Sequence, residues 1–381
     1  MKPKYELAQI VRQSTGSFVK QNPQSAPILR TLQAIAYCRT KFLGGHKSGC
    51  KGCGTERYHY NSCRNRHCPK CQAPSREKWI LQREAELLPV PYFHIVFTLP
   101  HQLNELAKQS PKKVYDALFR AAWRTIETFA GDGKYLGAKT GMTAILHTWG
   151  QQLWLHPHLH CIVAGGGITA GNKWKKAKGD GKYLFPKRAM SKVFRAKYVA
   201  SLRASGVAIP QQIAKQLFKT NWVVYAKRPF ASPKTVVEYL GRYTHKIAIS
   251  NHRLVSIKND RVDFRYKDYR DGAKTKIAKL SAVEFLRRFV QHILPKGFRR
   301  MRHYGILASR NKKKELNIAR HFHGLAKWQK IVISWEEIAD QKLGFVVNQC
   351  PKCSGKLEIQ EVILPQRGPP VVAFNASKTY A

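Results

Sequence analysis

Closely spaced cysteines near the start of the chain constrain the fold more than any other feature of the sequence. Cys50 and Cys53 form one Cys-x-x-Cys pair, and Cys68 and Cys71 form a second pair, with residues 54–67 between them. Four thiolates at this spacing are typical of a tetrahedral zinc site. The segment contains few apolar residues, so we expect zinc to supply its stability in place of a hydrophobic core.

The same segment holds four more side chains of the kinds that bind zinc. They are Cys38, His46, Cys63 and His67. Taken in chain order, the pairs 38/46 and 63/67 would share one ion and the pairs 50/53 and 68/71 another, which predicts an interleaved two-zinc module. One zinc ion and two both stay open, because His67 directly precedes Cys68 and has an alternative role in contacting phosphate or solvent.

Three cysteines lie outside this segment. Cys350 and Cys353 supply half of a further zinc site, which His321 and His323 are candidates to complete. Cys161 stands alone in an apolar stretch, and we predict that it is a buried core residue.

The charge of the chain indicates a polyanionic partner. Lys and Arg number 68 against 22 Asp and Glu, a formal net charge of +46. Such an excess favours nucleic acid, held by phosphate contacts and counterion release. Within the cysteine segment, Arg64, Arg66 and Lys70 are the predicted DNA contacts. The sequence shows no signal peptide and no apolar run of about 20 residues, so we expect a cytosolic protein without a membrane partner.

Three histidines alternate in "LHPHLHCIVAGGG", residues 155–167. Side chains two apart on a strand point to the same face, so His156, His158 and His160 are expected to converge. Converged imidazoles indicate a metal site, although a His-x-His pattern in a strand also has a purely structural explanation.

Two tyrosines four residues apart follow in "SPKTVVEYLGRYTHK". Ser232 and Pro233 mark the start of a predicted helix, so Tyr239 and Tyr243 would project from one face on adjacent turns. The alternative is that both are edge residues of an amphipathic helix. Gly241 between them costs about 1 kcal/mol of helix propensity relative to Ala, which predicts a close approach to the helix, and a DNA backbone fits there.

The remaining pattern predicts an α+β fold with a largely antiparallel sheet. "YFHIVFTLP", "MTAILHTW" and the histidine stretch are predicted strands, with a long helix from Asn104 to Phe129 between the first two. A hairpin is expected around Asn259-Asp260. We predict a helical lead-in and zinc-binding domain over residues 1–90, a catalytic domain over 91–310 and a basic C-terminal region over 311–381.

Four of these motifs together resemble the two-tyrosine rolling-circle transposases of the HUH superfamily, in bacterial insertion-sequence family ninety-one. "SCRNRHCPKCQ" is similar to the zinc-binding segment of that family, and "YFHIVFTLPHQL" to the first strand of its palm domain. "HPHLHCIVAGGG" resembles its histidine motif, and "YLGRYTHKIAISNHR" its tyrosine helix. The resemblance covers almost the whole chain but is loose beyond residue 310.

The resemblance implies a specific chemistry. His158 and His160 would bind Mg²⁺ or Mn²⁺, with His156 the neighbour of correct strand parity for a third ligand, although related folds draw that ligand from elsewhere. Tyr239 and Tyr243 would attack DNA to form 5′-phosphotyrosine links, assisted by Lys246 and Arg242.

The resemblance implies that the substrates are single-stranded DNA, hairpins at the ends of the insertion sequence and target DNA. It also implies a bacterial enzyme that is associated with the nucleoid. Aromatic residues among basic ones are candidates to stack on exposed bases; they are Trp154, Trp174, Tyr183, Phe185, Tyr198 and Trp222. Two alternatives remain from the sequence. One is a plasmid replication initiator or relaxase with the same chemistry, and the other is a non-catalytic zinc-ribbon protein that binds nucleic acid.

Overall fold

A computed structural model describes residues 3–178, 184–226, 230, 235–236, 239, 241 and 246–366 of the chain. The helices in this part of the chain are α1 (Leu7–Gln21), α2 (Ala26–Ala36), α3 (Ala73–Glu84), α4 (Asn104–Gln109), α5 (Pro111–Gly131), α6 (Lys187–Ala204), α7 (Gln211–Lys219), α8 (Ala282–Val290), α9 (Lys312–Phe322) and α10 (Trp335–Leu343). The strands are β1 (Gly45–Cys50), β2 (Glu56–Tyr60), β3 (Tyr92–Thr98), β4 (Gly141–Trp149), β5 (Leu155–Ala164), β6 (Gly166–Ile168), β7 (Trp174–Lys176), β8 (Val224–Ala226), β9 (Leu254–Lys258), β10 (Arg261–Asp268), β11 (Lys274–Ser281), β12 (Met301–Gly305) and β13 (Leu357–Ile363).

A five-stranded antiparallel sheet in the order β12-β4-β5-β3-β8 forms the centre of the fold. The two-residue period of β5 separates its faces. Leu159, Cys161 and Val163 enter a large apolar core that also contains residues of α5 and α6. His158, His160 and Ile162 therefore lie on the opposite face. The predicted α+β class with an antiparallel sheet and helices is confirmed.

A second core joins the start of the chain to residues well beyond the central sheet. Leu7, Ile10 and Phe18 of α1 are buried with Phe264 of β10 and Phe285 of α8. The backbone N–H of Leu7 also donates to the side-chain oxygen of Asn251, at 3.0 Å. The two N-terminal helices are thus stabilised by the sheet β11-β10-β9 and by α8.

A small sheet at the surface joins two strands that follow the N-terminal helices to a strand near the end of the described residues. Its strands lie in the order β13-β1-β2, and β1 is antiparallel to both neighbours. The buried positions of β1 are Gly45, Ser48, Gly49 and Cys50, while β2 and β13 contain no buried residue. This sheet therefore has almost no hydrophobic core of its own.

Among the described residues, no helix has the length and apolar character needed to span a bilayer.

Candidate active site and metal centres

Four cysteines of the N-terminal region form a compact group, which we call the first cysteine cluster. Its members are Cys38, Cys63, Cys68 and Cys71, whose sulfur atoms all lie within 4.8 Å of one another. The Sγ atom of Cys71 is 3.4 Å from that of Cys38 and 3.6 Å from that of Cys63. Four sulfurs around zinc at about 2.3 Å are about 3.8 Å apart in a tetrahedron, so this group fits a zinc ion.

Cys50 and Cys53 lie in a separate group, the second cysteine cluster. It consists of Cys50, Cys53, Cys350 and Cys353, again with all sulfurs within 4.8 Å. This arrangement corrects the prediction that the pairs 50/53 and 68/71 share one ion. It also corrects the prediction that His321 and His323 complete a site with Cys350 and Cys353. The cause is the pairing of β1 with β13, which brings the C-terminal pair beside Cys50.

His46 and His67 join neither cysteine cluster. His46 is opposite His59 on the paired strands β1 and β2, and the two rings stack with centroids 5.0 Å apart. His67 is buried, and its Nε2 accepts a hydrogen bond from the backbone N–H of Leu294 at 3.3 Å. Burial lowers the pKa of His67 to about 3, so the ring is a neutral part of the packing.

Three histidines form a cluster on the face of the central sheet opposite the α5 and α6 core. His147, His158 and His160 place ring nitrogens within 4.8 Å of one another. His147 lies directly opposite His158 in the β4–β5 register, and His160 is the next residue on the same face. His158 Nδ1 is 2.7 Å from the carbonyl oxygen of His156; a carbonyl only accepts, so Nδ1 carries the proton and the lone pair is on Nε2.

His156 stays outside this cluster, and His147 takes the place predicted for it. The β4–β5 register shifts between His147 and Trp149, so the regular alternation does not extend to the start of β5. His156 is accordingly exposed. His156 is an even number of residues from His158 and His160 on β5, but this spacing alone does not define which side chains converge.

Burial keeps His158 and His160 in the neutral form that ligates metals. It lowers the pKa of His158 to about 4, although the hydrogen bond to the His156 carbonyl acts in the opposite direction, and the charge of Lys246 lowers this pKa further. Burial also depresses the pKa of His160, with contributions from His147, His158 and the neighbouring His94.

Tyr239 reaches this cluster through His94, a residue of β3. The hydroxyl of Tyr239 lies 3.2 Å from Nδ1 and 3.3 Å from Nε2 of His94. His94 Nε2 is in turn 3.0 Å from Nδ1 of His160, and the two imidazoles stack with centroids 5.2 Å apart. Tyr239 and the histidine cluster therefore form one connected polar group.

Of the remaining predicted catalytic residues, the structure describes only Lys246. Lys246 lies near enough for its charge to depress the pKa of His158 and His160. Tyr243 and Arg242 lie outside the described residues. At Gly241, a Cβ would lie 2.5 Å from Cδ1 of Ile80 on α3, so a neighbouring helix makes the close approach for which a DNA backbone was predicted.

The predicted DNA contacts of the cysteine segment differ in exposure. Arg64 is exposed. Arg66 instead donates to the backbone carbonyls of Leu294, Pro295 and Phe298, and Lys70 pairs with Glu6 at 2.8 Å. Internal contacts thus engage two of the three side chains.

The candidate stacking residues differ in the same way. Trp154 is half exposed, and the Arg288 guanidinium lies 3.4 Å from its ring centroid. Phe185, Tyr198 and Trp222 are core residues. Trp174 is partly buried, and Tyr183 lies outside the described residues.

Three features of these sites are not predicted from the sequence: His94, His147 and the grouping of Cys350 and Cys353 with Cys50 and Cys53. His94 and His147 each lie within a predicted strand, in "YFHIVFTLP" and "MTAILHTW". A histidine in the middle of an apolar strand was the available signal. The register that aligns the strands was needed to use it.

Comparisons with known proteins agree with this geometry. Residues 141–315 match the family described as "Putative transposase", and residues 10–99 match the "Transposase zinc-binding domain". The first range contains the histidine cluster and Tyr239, and the second contains the first cysteine cluster.

Two relatives match over most of the chain. "Putative transposase y4qJ" of Sinorhizobium fredii is 40% identical over 389 residues, covering 96% of this chain and 97% of the relative. "Transposase for insertion sequence element IS801" of Pseudomonas savastanoi pv. phaseolicola is 30% identical over 300 residues, covering 74% of this chain and 70% of the relative. No solved structure matches the chain significantly. Because residues 10–99 match the zinc-binding domain of these transposases and the chain is similar to a transposase over almost its whole length, it belongs to the transposases of insertion-sequence family ninety-one.

Proposed function

We propose that this transposase cleaves and rejoins single-stranded DNA at insertion-sequence ends, with Tyr239 as a nucleophile. The observation that carries the proposal is the contact of the Tyr239 hydroxyl with His94, which itself contacts His160 of the histidine cluster. A phosphate held at the cluster would lie within reach of that hydroxyl. The expected product is a 5′-phosphotyrosine link.

The histidine cluster fits a divalent metal ion by its donor chemistry. His147, His158 and His160 offer three imidazoles, and His158 directs its unprotonated Nε2 away from the backbone. Mg²⁺ prefers oxygen ligands, whereas imidazole suits transition ions, so Mn²⁺ fits this set better than Mg²⁺. A bound ion would polarise the scissile phosphate.

The chain's own residues account for the covalent step. The Tyr239 oxygen forms a bond to phosphorus as the bond from phosphorus to the 3′-oxygen breaks. The phenol loses its proton and the departing 3′-oxygen gains one. One phosphodiester has been exchanged for another, so a 3′-hydroxyl can reverse the reaction and rejoin DNA without a nucleoside triphosphate.

Two neighbours support Tyr239 in this step. His94 is buried and holds the phenol hydroxyl by hydrogen bonding, which restricts its position relative to the cluster. Lys246 adds positive charge near His158, where it would stabilise the phenolate form of Tyr239 or bind the scissile phosphate.

Tyr243 and Arg242 keep the roles predicted from the sequence. A second tyrosine permits a second strand transfer at the same metal site, so that one tyrosine attacks the donor DNA and the other the target or the far end of the element. Arg242 would contact the phosphate backbone.

The zinc-binding domain is the part proposed to recognise DNA ends. We assign its zinc to the first cysteine cluster, where Cys38 and Cys68 are buried in the second core and Cys63 and Cys71 pack against it. Exposed Arg64, in the segment between Cys63 and Cys68, is its clearest candidate for a phosphate contact.

Replacement of the clustered histidines tests the catalytic metal site. His147→Ala, His158→Ala and His160→Ala should each lower adduct formation with a single-stranded end oligonucleotide about a thousandfold, because metal assistance contributes several kcal/mol to such reactions. DNA binding should change little, since it depends on a net charge of +46. Denaturing electrophoresis measures the adduct, and a mobility shift measures binding.

His156→Ala is the matched control, because this exposed imidazole lies next to the cluster but outside it. It should retain adduct formation. Equal cleavage in EDTA and in Mn²⁺ would contradict the catalytic site, and strong binding without any adduct under all metal conditions would support a non-catalytic DNA-binding protein.

A further inference from the structure

The second cysteine cluster joins two pairs of residues that are about 300 positions apart in the chain. The Sγ atoms of Cys50 and Cys353 are 3.4 Å apart, and those of Cys53 and Cys350 are 3.7 Å apart. Sulfurs in a disulfide are about 2.05 Å apart, whereas zinc ligands in a tetrahedron are about 3.8 Å apart. The observed separations fit four ligands around one ion.

Both cysteine pairs are presented by the same kind of turn. The N–H of Gly54 donates to the Cys50 carbonyl at 2.9 Å, and the N–H of Ser354 donates to the Cys350 carbonyl at 2.8 Å. Gly54 and Ser354 have left-handed φ values of 68° and 60°. The N–H of each first cysteine also bonds back across its turn, Cys50 to the carbonyl of Thr55 and Cys350 to that of Gly355. Two equivalent turns therefore face each other.

The space between the turns is kept open for the sulfur atoms. A Cβ at Gly355 would lie 3.2 Å from the Cys50 sulfur and 3.3 Å from the Cys353 sulfur. Thr55 also contacts the cluster, with its hydroxyl 3.1 Å from the Cys53 sulfur.

Within the described residues, the sheet that carries these turns has no hydrophobic core of its own. Ile359 and Val362 of β13 are 64% and 68% exposed, and no large apolar side chain of β1, β2 or β13 is buried. The ion pair between Lys51 and Glu358 is at the surface and contributes little. Strands without a core need a covalent or metal link to stay paired.

We propose that Cys50, Cys53, Cys350 and Cys353 bind a second structural zinc ion, which links the segment before β13 to the turn that joins β1 and β2. The match to the zinc-binding domain ends at residue 99 and so includes only two of the four ligands. The C-terminal region thereby completes the N-terminal zinc module. This assignment is independent of the catalytic role of Tyr239.

Zinc content of the full-length protein tests this site. Purified under reducing conditions without chelator, the wild type should contain two zinc ions per chain by elemental analysis. Cys350→Ser/Cys353→Ser and Cys50→Ser/Cys53→Ser should each contain one. The quadruple variant should also contain one, because both pairs serve the same ion. Cys161→Ala removes a buried thiol from the apolar core and should retain two.

A conservative variant guards against simple misfolding. Cys353→His preserves a ligand and should keep two zinc ions, and its Co²⁺-substituted form should show weaker thiolate charge-transfer absorption than the wild type. Two zinc ions in Cys350→Ser/Cys353→Ser, or one in the wild type, would overturn the proposal. So would loss of the second ion from Cys353→His, or cross-links between the two pairs in place of zinc, seen as disulfide-linked peptides by mass spectrometry.

Discussion

Tyr239→Phe is expected to abolish the Tyr239-dependent covalent link to single-stranded DNA, lowering adduct formation on the order of 10⁴-fold or more. The substitution removes the attacking oxygen but keeps the ring, which packs against Phe230 and His94. The lost hydrogen bond to His94 should reduce stability by only about 1 kcal/mol. The measurement is the amount of adduct trapped on an end oligonucleotide, compared with DNA affinity and thermal stability.

Tyr225→Phe is the matched control for this experiment. Tyr225 lies on β8 of the same sheet, opposite Val96, and is 47% exposed. Its replacement should leave the adduct unchanged. Tyr243→Phe is expected to block transposition while permitting a first cleavage by Tyr239, and the double variant should form no adduct. A trapped peptide that maps to Tyr225 or Tyr266 would show that Tyr239 is not the nucleophile.

Local patterns predicted the elements around the candidate active site well. "YFHIVFTLP", "MTAILHTW" and the histidine stretch correspond to β3, β4 and β5. The hairpin expected at Asn259-Asp260 forms between β9 and β10, and both residues have the positive φ that such a two-residue turn requires. These features depend on residues close in sequence, so periodicity and turn chemistry suffice.

The long helix predicted from Asn104 to Phe129 is broken at Pro111, a residue that gives a local signal for the break. The structure contains α4 and α5 instead of one helix, and Pro111 begins α5. Proline has no N–H to donate and disfavours helical geometry in the residue before it, so Ser110 leaves the helix.

The composition of the three candidate metal sites could not be predicted from spacing, because it depends on which strands are neighbours. His147 joins His158 through the β4–β5 register, and His94 reaches His160 through the β3–β5 pairing. The cysteine pairs present the same problem at a larger separation. Cys50 and Cys53 are near Cys68 in sequence but meet Cys350 through the pairing of β1 with β13. The sequence therefore predicts zinc as the metal more readily than it predicts which cysteines bind each ion.

Cys68→Ser is expected to cause the largest loss of stability, because it removes a ligand from the first cysteine cluster. Cys68 is 1% exposed and belongs to the core that holds α1 and α2 against β10 and α8. Structural zinc contributes about 10–16 kcal/mol in small zinc-dependent domains, which is comparable to the whole stability of a typical domain. We expect loss of at least one zinc ion per chain and unfolding of this shared core at physiological temperature.

The contrast with Cys161 separates loss of zinc from loss of a buried thiol. Cys161 is fully buried in the other core, outside both cysteine clusters. Cys161→Ala should retain the zinc and cost about 1 kcal/mol, the scale of one small buried group. Thermal unfolding by circular dichroism and elemental analysis measure both variants. The central sheet draws its stability from the α5 and α6 core, so Cys68→Ser should leave β-sheet signal after the N-terminal helices have melted. A Cys68→Ser protein with the zinc content and melting temperature of the wild type would show that the first cluster is packing and not a metal centre.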